Sequence, residues 1–308
     1  MGFRVAIGPS SFAGEDQTPL RMLEAAGCEV VGNPFGRRLT EDEIIAHLDG
    51  IDGLIAGLEP LNAKVIESAS GKLKVIARVG IGVINVDFEA AATHGVKVSN
   101  TPDGPVNAVA EMTLTALLAL CRRLVPTNEA LHRGEWTKSI GKGLIGAKVL
   151  LVGYGRIGRR VGELMQAFRA ELSVYDPYAV AESIPSGVRL VGSLEEGLKS
   201  AEIVSLHASG EDCLLGEAEF GLIPDGAILL NSARGELVDE GALIAALDSE
   251  KISGCWFDAF VEEPYAGPLT DYAQVLLTPH VGTYTQQCRL GMESAAVENL
   301  LRDLGVSS

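Results

Sequence analysis

Residues 149–158 read VLLVGYGRIG, and RIGRRVGELMQAF continues from the last three of them. The apolar run is a strand, and the mixed charged and apolar spacing after it is a helix. Between the two stand Gly153, Gly155 and Gly158, in the pattern G-x-G-x-x-G. Few folds accommodate that order except a strand–turn–helix unit of a parallel sheet. The first glycine allows the tight turn. The second lets the backbone approach a pyrophosphate, and the third lets helix and strand pack closely. The helix N-terminus adds free N–H groups and a partial positive charge. Tyr154, Arg156 and Ile157 complete this candidate cofactor loop.

The next strand, ELSVYD, ends in Asp176, 18 residues beyond Gly158. That is close to the ~20-residue offset at which an acid reaches the ribose hydroxyls of a dinucleotide. A carboxylate there repels the 2′-phosphate of NADP. Pro177 and Tyr178 follow, with no arginine to hold such a group. The pattern favours NAD.

The same alternation of strand and helix runs through the chain. FRVAIG (3–8), CEVVGN (28–33), GLIAG (53–57), LKVIARVG (73–80) and VKVSN (96–100) read as strands. The segments 18–27, 41–50, 62–70 and 87–95 between them have helical periodicity, and several close on glycine. NTPDGP (100–105) is a loop, and the spacing after it predicts one long helix over 106–131. A second series of strand candidates covers 147–153, 171–176, 188–192, 201–208, 227–233, 255–260 and 274–280. Residues 286–304 form an amphipathic helix whose partner the pattern leaves open. Alternation of this kind implies parallel sheets covered on both faces. The expected class is α/β, with two Rossmann-like doubly wound domains.

Composition excludes several functions. With 25 Lys+Arg against 41 Asp+Glu, the net charge is −16. A field of that sign disfavours nucleic acid and anionic membranes as partners. A small anionic substrate then needs local arginines. The most apolar run, AVAEMTLTALLAL (108–120), contains Glu111 and falls short of the ~20 residues that span a bilayer. The five cysteines are scattered, with no CxxC and no metal-ligand spacing, so a set of reduced thiols is expected and no metal. MGFRVAIGPSSF starts a strand rather than a signal peptide, which makes a cytoplasmic location the expectation.

A dehydrogenase acting on a ketone needs an acid for the new alkoxide, a carboxylate to orient that acid, and a cation to polarise the carbonyl. LLTPHVG (276–282) places His280 at a strand end, where an imidazole can move a proton near neutral pH. LLNSARGELVDEGAL places Arg234 after a strand, and its guanidinium fork matches a carboxylate with an adjacent carbonyl. DAFVEEP places Glu263 before Pro264. A carboxylate lying against His280 would favour the charged imidazolium.

GYGRIG with Asp176, NSARGELVDEGAL, DAFVEEP and TPHVG stand in the order and spacing of the D-isomer-specific 2-hydroxyacid dehydrogenases. RVGIGVINVD (78–87) and NTPDGPVNAVAE (100–111) resemble that family's substrate-domain glycine motif and crossover segment. The resemblance covers nearly the whole chain. It implies Arg234, Glu263 and His280 as catalytic residues. It also implies a cofactor domain, residues 101–283, inserted into a flavodoxin-like substrate domain, residues 1–100 plus 284–308. By the same resemblance Gly57, Ile81 and Gly82 join Arg234 and His280 at the substrate, with N–H groups of Ile81 and Gly82 on its carboxylate. His207 and Ala208 line the adenosine side, Asp258 lies near the nicotinamide carboxamide, and Ala233 and Gly282 complete the cofactor set. A homodimer formed through the cofactor domain is implied, and the 108–120 helix suits such an interface.

The segments HRGEWTKSIGKGLIGAKV and HVGTYTQQCRLGMESAAVENLL are similar to the short bacterial phosphoglycerate dehydrogenase-like members. Against that, Leu58 and Glu59 stand where such enzymes often carry an arginine for phosphate. Ile84 and Pro105 depart from the pattern as well. Arg133, Lys138 and Lys142 are alternative cations for a phosphate or phosphonate tail. The expected activity is therefore interconversion of a D-2-hydroxy acid and its 2-oxo acid with NAD, the acid left open between 3-phosphoglycerate-like and uncharged-tail types. A formate- or phosphite-type dehydrogenase, and an NAD-sensing interaction protein like the C-terminal-binding corepressors, remain as alternatives.

Overall fold

The structure, a computed structural model, describes residues 2–210 and 212–306. It splits into two compact units, Met1–Pro105 with Tyr284–Ser308, and Val106–Thr283.

In the first unit, β1 (Arg4–Ile7), β2 (Glu29–Val31), β3 (Gly53–Ala56), β4 (Val75–Arg78) and β5 (Lys97–Ser99) form a parallel sheet of order β2-β1-β3-β4-β5. β3 and β4 are buried at every residue, as strands covered on both faces must be. Helices α1 (Thr18–Ala25), α2 (Glu41–His47), α3 (Ala63–Ser68) and α4 (Phe88–Thr93) connect the strands. Asn62 accepts from the Val65 N–H and Asp87 from the Ala90 N–H, so α3 and α4 begin where their side-chain caps dictate. The C-terminal helix (Gln286–Leu304) belongs to this unit and packs on β3, β4 and α1. Leu300 lies so near Gly53 that a β-carbon there would sit 3.1 Å from its Cδ1. The apolar face of that helix thus finds its cover in the first sheet.

The second unit has a seven-stranded parallel sheet. Its strands are β6 (Lys148–Val152), β7 (Glu171–Tyr175), β8 (Val188–Leu190), β9 (Ile203–Leu206), β10 (Ala227–Asn231), β11 (Ile252–Phe257) and β12 (Val275–Leu277), in the order β12-β11-β10-β9-β6-β7-β8. Residues of β6 alternate between two cores. Leu150 and Val152 join Leu206 and Leu229 on one face, while Val149 and Leu151 join Val161, Met165 and Trp256 on the other. Leu150 and Leu151 are fully buried, each stabilising the fold by roughly 1.5–3 kcal/mol. Helices α5 (Pro105–Cys121), α6 (Leu124–His132), α7 (Arg156–Ala167), α8 (Leu194–Leu198), α9 (Glu217–Leu222) and α10 (Glu240–Asp248) complete the unit.

The single helix expected over 106–131 is two helices. Arg123 takes a left-handed conformation, φ 49°, between α5 and α6. Pro126 explains the break. In a continuous helix it would clash with the carbonyl four residues earlier and donate nothing to it, whereas in the first turn of α6 no donor is required. No helix among the described residues is long and apolar enough to cross a membrane.

Candidate active site

Because every strand of the second sheet is parallel, all the strand ends that carry candidate residues lie on one edge. Read along that edge, His280 follows β12, Asp258 and Glu263 follow β11, Arg234 follows β10, His207 follows β9, the Gly153 turn follows β6 and Asp176 follows β7. The strand order reverses between β9 and β6, and ligands of open α/β sheets bind in the crevice at such a reversal. The glycine turn occupies that place.

Gly153 has φ 90°, which only glycine adopts readily, and a β-carbon there would lie 2.5 Å from the Ala208 N and 2.6 Å from the His207 carbonyl carbon. A β-carbon on Gly158 would lie 2.2 Å from the Gly153 oxygen. The space beside these two glycines is therefore filled by the protein's own backbone. Gly155, which caps α7, is different: its β-carbon would meet nothing within 4 Å. The turn is closed where helix and strand pack and open at the helix N-terminus, as a pyrophosphate cradle requires. Asp176 Oδ2 accepts from the Tyr154 N–H at 2.7 Å and Oδ1 from the Tyr178 N–H at 2.8 Å, so the acid also shapes the turn it flanks. His207 lies within hydrogen-bonding distance of the Ser205 hydroxyl at 2.8 Å, and burial holds its imidazole down to about 4, neutral at physiological pH.

The imidazole of His280 is oriented by a carboxylate. Nδ1 lies 2.9 Å from Glu263 Oε1 and 3.1 Å from Oε2. An ionised carboxylate only accepts, so Nδ1 carries the proton and donates, and Nε2 is the nitrogen left for exchange with a ligand. Glu263 Oε1 also accepts from the Phe260 N–H at 3.1 Å. The His280 backbone is left-handed, φ 54°, uncommon for a residue with a β-carbon.

Asp258 holds the segment that carries this histidine. Its Oδ1 accepts from the Val281 N–H at 2.9 Å and the Thr278 hydroxyl at 2.6 Å, and its Oδ2 from the Gly282 N–H at 2.7 Å. Thr278 in turn accepts from the Trp256 indole at 2.9 Å. Gly282 permits the close approach, since a β-carbon there would lie 2.8 Å from Asp258 Oδ2. Thr278 and Trp256 escaped the sequence reading because nothing in their local spacing distinguishes them from ordinary strand residues. Asn231 escaped it too. It is fully buried at the end of β10, accepts from the Ala233 N–H at 3.0 Å and donates to the Arg234 carbonyl at 2.7 Å, fixing the turn from which the arginine projects. The Arg234 guanidinium donates to the Ala233 carbonyl at 2.7 Å.

In the first unit, the candidate substrate residues sit at the ends of β3 and β4. The Gly57 N–H donates to Glu59 Oε1 at 2.8 Å, and Glu59 is folded inward, 1% exposed, with its carboxyl pushed up by burial. Leu58 is left facing solvent. After β4, the Asn100 side chain donates to the Ile81 carbonyl at 2.9 Å, and Gly80 takes φ 125° to make the turn. The N–H groups of Ile81 and Gly82 have no partner among the described residues. Of the alternative cations, Arg133 is paired with Glu135 and Lys142 donates to the Gly226 carbonyl at 2.5 Å.

Known proteins resemble this chain in sequence and fold. Residues 114–282 match the family model described as D-isomer specific 2-hydroxyacid dehydrogenase, NAD binding domain. D-3-phosphoglycerate dehydrogenase of Methanocaldococcus jannaschii is 37% identical over 277 residues, 86% of this chain and 52% of that protein. Glyoxylate reductase of Thermococcus litoralis is 33% identical over 273 residues, 84% of this chain and 81% of that protein. Among solved structures, the TT0316 protein of Thermus thermophilus superposes with a TM-score of 0.89 at 34% identity, covering 98% of this chain and 97% of that one. The chain spans about half the length of the phosphoglycerate dehydrogenases it matches. A family domain matched over more than half the chain, on a sheet edge built to receive a dinucleotide, places it: the chain belongs to the D-isomer-specific 2-hydroxyacid dehydrogenases, and its cofactor is NAD.

Proposed function

We propose that this protein is an oxidoreductase interconverting a D-2-hydroxy acid and its 2-oxo acid. The observation that carries the reading is the 2.9 Å pair of Glu263 and His280, one strand away from the end that carries Arg234. NAD, when bound, accepts or supplies the hydride at the substrate C2. Arg234 binds the carboxylate and polarises the adjacent carbonyl through its two-pronged guanidinium. His280 gives a proton to the carbonyl oxygen on reduction and takes it from the hydroxyl on oxidation. Glu263 holds the imidazole in the tautomer that leaves Nε2 for this exchange. In the first unit, the N–H groups of Ile81 and Gly82, without a partner among the described residues, are free to take a carboxylate.

The favoured acid is small with an uncharged tail. Leu58 is exposed in the loop after β3 and Glu59 is buried there, so that loop offers an anionic tail no cation. The named similarity to phosphoglycerate dehydrogenases supports the phosphorylated alternative. Following NADH oxidation with glyoxylate, hydroxypyruvate, pyruvate, 2-oxoglutarate and 3-phosphohydroxypyruvate separates them. We expect turnover of glyoxylate or hydroxypyruvate at least about tenfold faster, per kcat/KM, than of the phosphorylated acid. Fast turnover of the phosphorylated acid reverses the substrate assignment. NADH binding with no acid turned over defeats the oxidoreductase reading and leaves the sensor.

The functional unit we infer is a homodimer, joined by a segment other than the helix the sequence favours. Ala110, Ala116, Leu117 and Cys121 of α5 pack within their own unit. Between residues 124 and 145 the chain leaves Leu124, Val125, Leu131, Trp136, Ile140 and Ile145 exposed, with Trp136 80% and Ile140 98% exposed. A concentration of bare apolar side chains in one stretch is the mark of an association surface. Sedimentation should give a dimer at micromolar concentration, converted to monomer by Trp136→Asp with Ile140→Asp. A monomeric parent protein defeats this assignment.

A further inference from the structure

The loop between β11 and the 3-10 turn at Pro268–Asp271 carries Glu263, yet it is not packed solidly on the helix beneath it. A cleft of about 380 Å³, lined by Val238, Leu243, Phe257, Phe260 and Leu269 among others, lies between the loop and α10. Such a loop needs anchors if its carboxylate is to stay within hydrogen-bonding distance of an imidazole.

Tyr265 supplies one. Its ring stacks on Phe260, with centroids 4.4 Å apart and planes at 21°, and Phe260 is the residue whose N–H holds Glu263 Oε1. The Tyr265 hydroxyl donates to Glu240 Oε2 at 2.7 Å, in the first turn of α10, and accepts from the Leu269 N–H at 3.1 Å. Two glycines make room for this. A β-carbon on Gly267 would lie 2.5 Å from the Tyr265 ring, and one on Gly235 would lie 2.3 Å from the Val261 N. Gly235 directly follows Arg234. The loop bearing Glu263 is therefore seated on the turn bearing Arg234 at one point and tied to α10 at another. Burial and Glu240 push the phenol up to about 12, so the hydroxyl stays a donor at any pH at which the protein works.

We propose that Tyr265, through its bond to Glu240, is a positioning residue that keeps Glu263 against His280. The inference rests on the catalytic reading of Glu263 and His280 above. Tyr265→Phe keeps the ring stack and removes the donor. Glu240→Ala removes the acceptor, and Glu240→Gln retains one. With the 2-oxo acid turned over fastest, Tyr265→Phe and Glu240→Ala should each lower kcat about tenfold while KM and the Kd for NADH stay within about twofold. Glu240→Gln should hold kcat within about threefold of the parent, a rescue by the retained acceptor. Should Tyr265→Phe not fold, the contrast of Glu240→Ala with Glu240→Gln carries the comparison.

Glu263→Gln is the control. If it loses kcat while Tyr265→Phe and Glu240→Ala keep it, losing only thermal stability, the anchor is structural and the inference is overturned. If Glu263→Gln itself keeps full kcat, the catalytic reading of Glu263 fails, and the inference with it.

Discussion

His280→Asn should slow 2-oxo acid reduction about a thousandfold while leaving the Kd for NADH within about twofold. The amide has the size and one of the hydrogen-bonding edges of imidazole, so the bond to Glu263 can persist. It cannot hold and release a proton near neutral pH. The segment around it should keep its shape, because Asp258 grips the N–H groups of Val281 and Gly282 and the Thr278 hydroxyl, none of which involves the imidazole. Stopped-flow measurement of the first turnover, beside a fluorescence titration of NADH, separates the proton step from binding. A variant that keeps more than about a tenth of the parental rate would remove His280 from the proton-transfer role.

The second large effect is expected at Gly153. Gly153→Ala places a methyl group where the backbone of His207 and Ala208 already lies, at a φ of 90° that costs an L-residue roughly 1–2 kcal/mol by itself. Either the turn or the end of β9 must move. NADH affinity should fall at least about a hundredfold, and the thermal midpoint should fall by several degrees. Gly155→Ala makes the informative contrast. Its φ of −73° suits any residue and its β-carbon meets open space, so that variant should melt like the parent and lose affinity for NADH alone. Equal melting and equal NADH binding in Gly153→Ala would show that the turn is not seated as described. Unchanged NADH binding in Gly155→Ala would move the pyrophosphate away from the α7 N-terminus.

The parts of this site that could be read from the chain are those whose chemistry is local. G-x-G-x-x-G works through consecutive backbone, so its residues declare one another. A histidine after a proline at a strand end, and an arginine in a turn before glycine, are positions where a polar side chain is often merely solvated, and what singles out His280 and Arg234 is the resemblance of their motifs, in order and spacing, to those of the family. The parallel sheets followed from strand–helix alternation, since a crossover helix leaves its period in the sequence.

What could not be read depends on neighbours distant in the chain. Asp258 is 20 residues from Thr278 and reaches it only because β11 and β12 pair in register, Phe257 opposite Leu277. The partnership of Tyr265 with Glu240 spans 25 residues and crosses from a loop to a helix. Nothing in the residues around Glu59 marks it for burial, and only the fold turns it inward. The break at Arg123 was partly legible. Pro126 signals it, but apolar periodicity on both sides of the break hides the signal.

The left-handed backbone of His280 bears on how such a protein can change over time. A residue with a β-carbon held at φ 54° costs the native state roughly 1–2 kcal/mol, which glycine would not. Glycine at position 280 would relieve that cost, but it would also take the Nδ1–H donor away from Glu263 and add freedom to the unfolded chain, effects of similar size and opposite sign. The thermal midpoint of His280→Gly should therefore stay near the parent's while proton transfer is abolished. A screen that ranks variants of this chain by melting temperature would pass over the loss of the one imidazole that turnover requires.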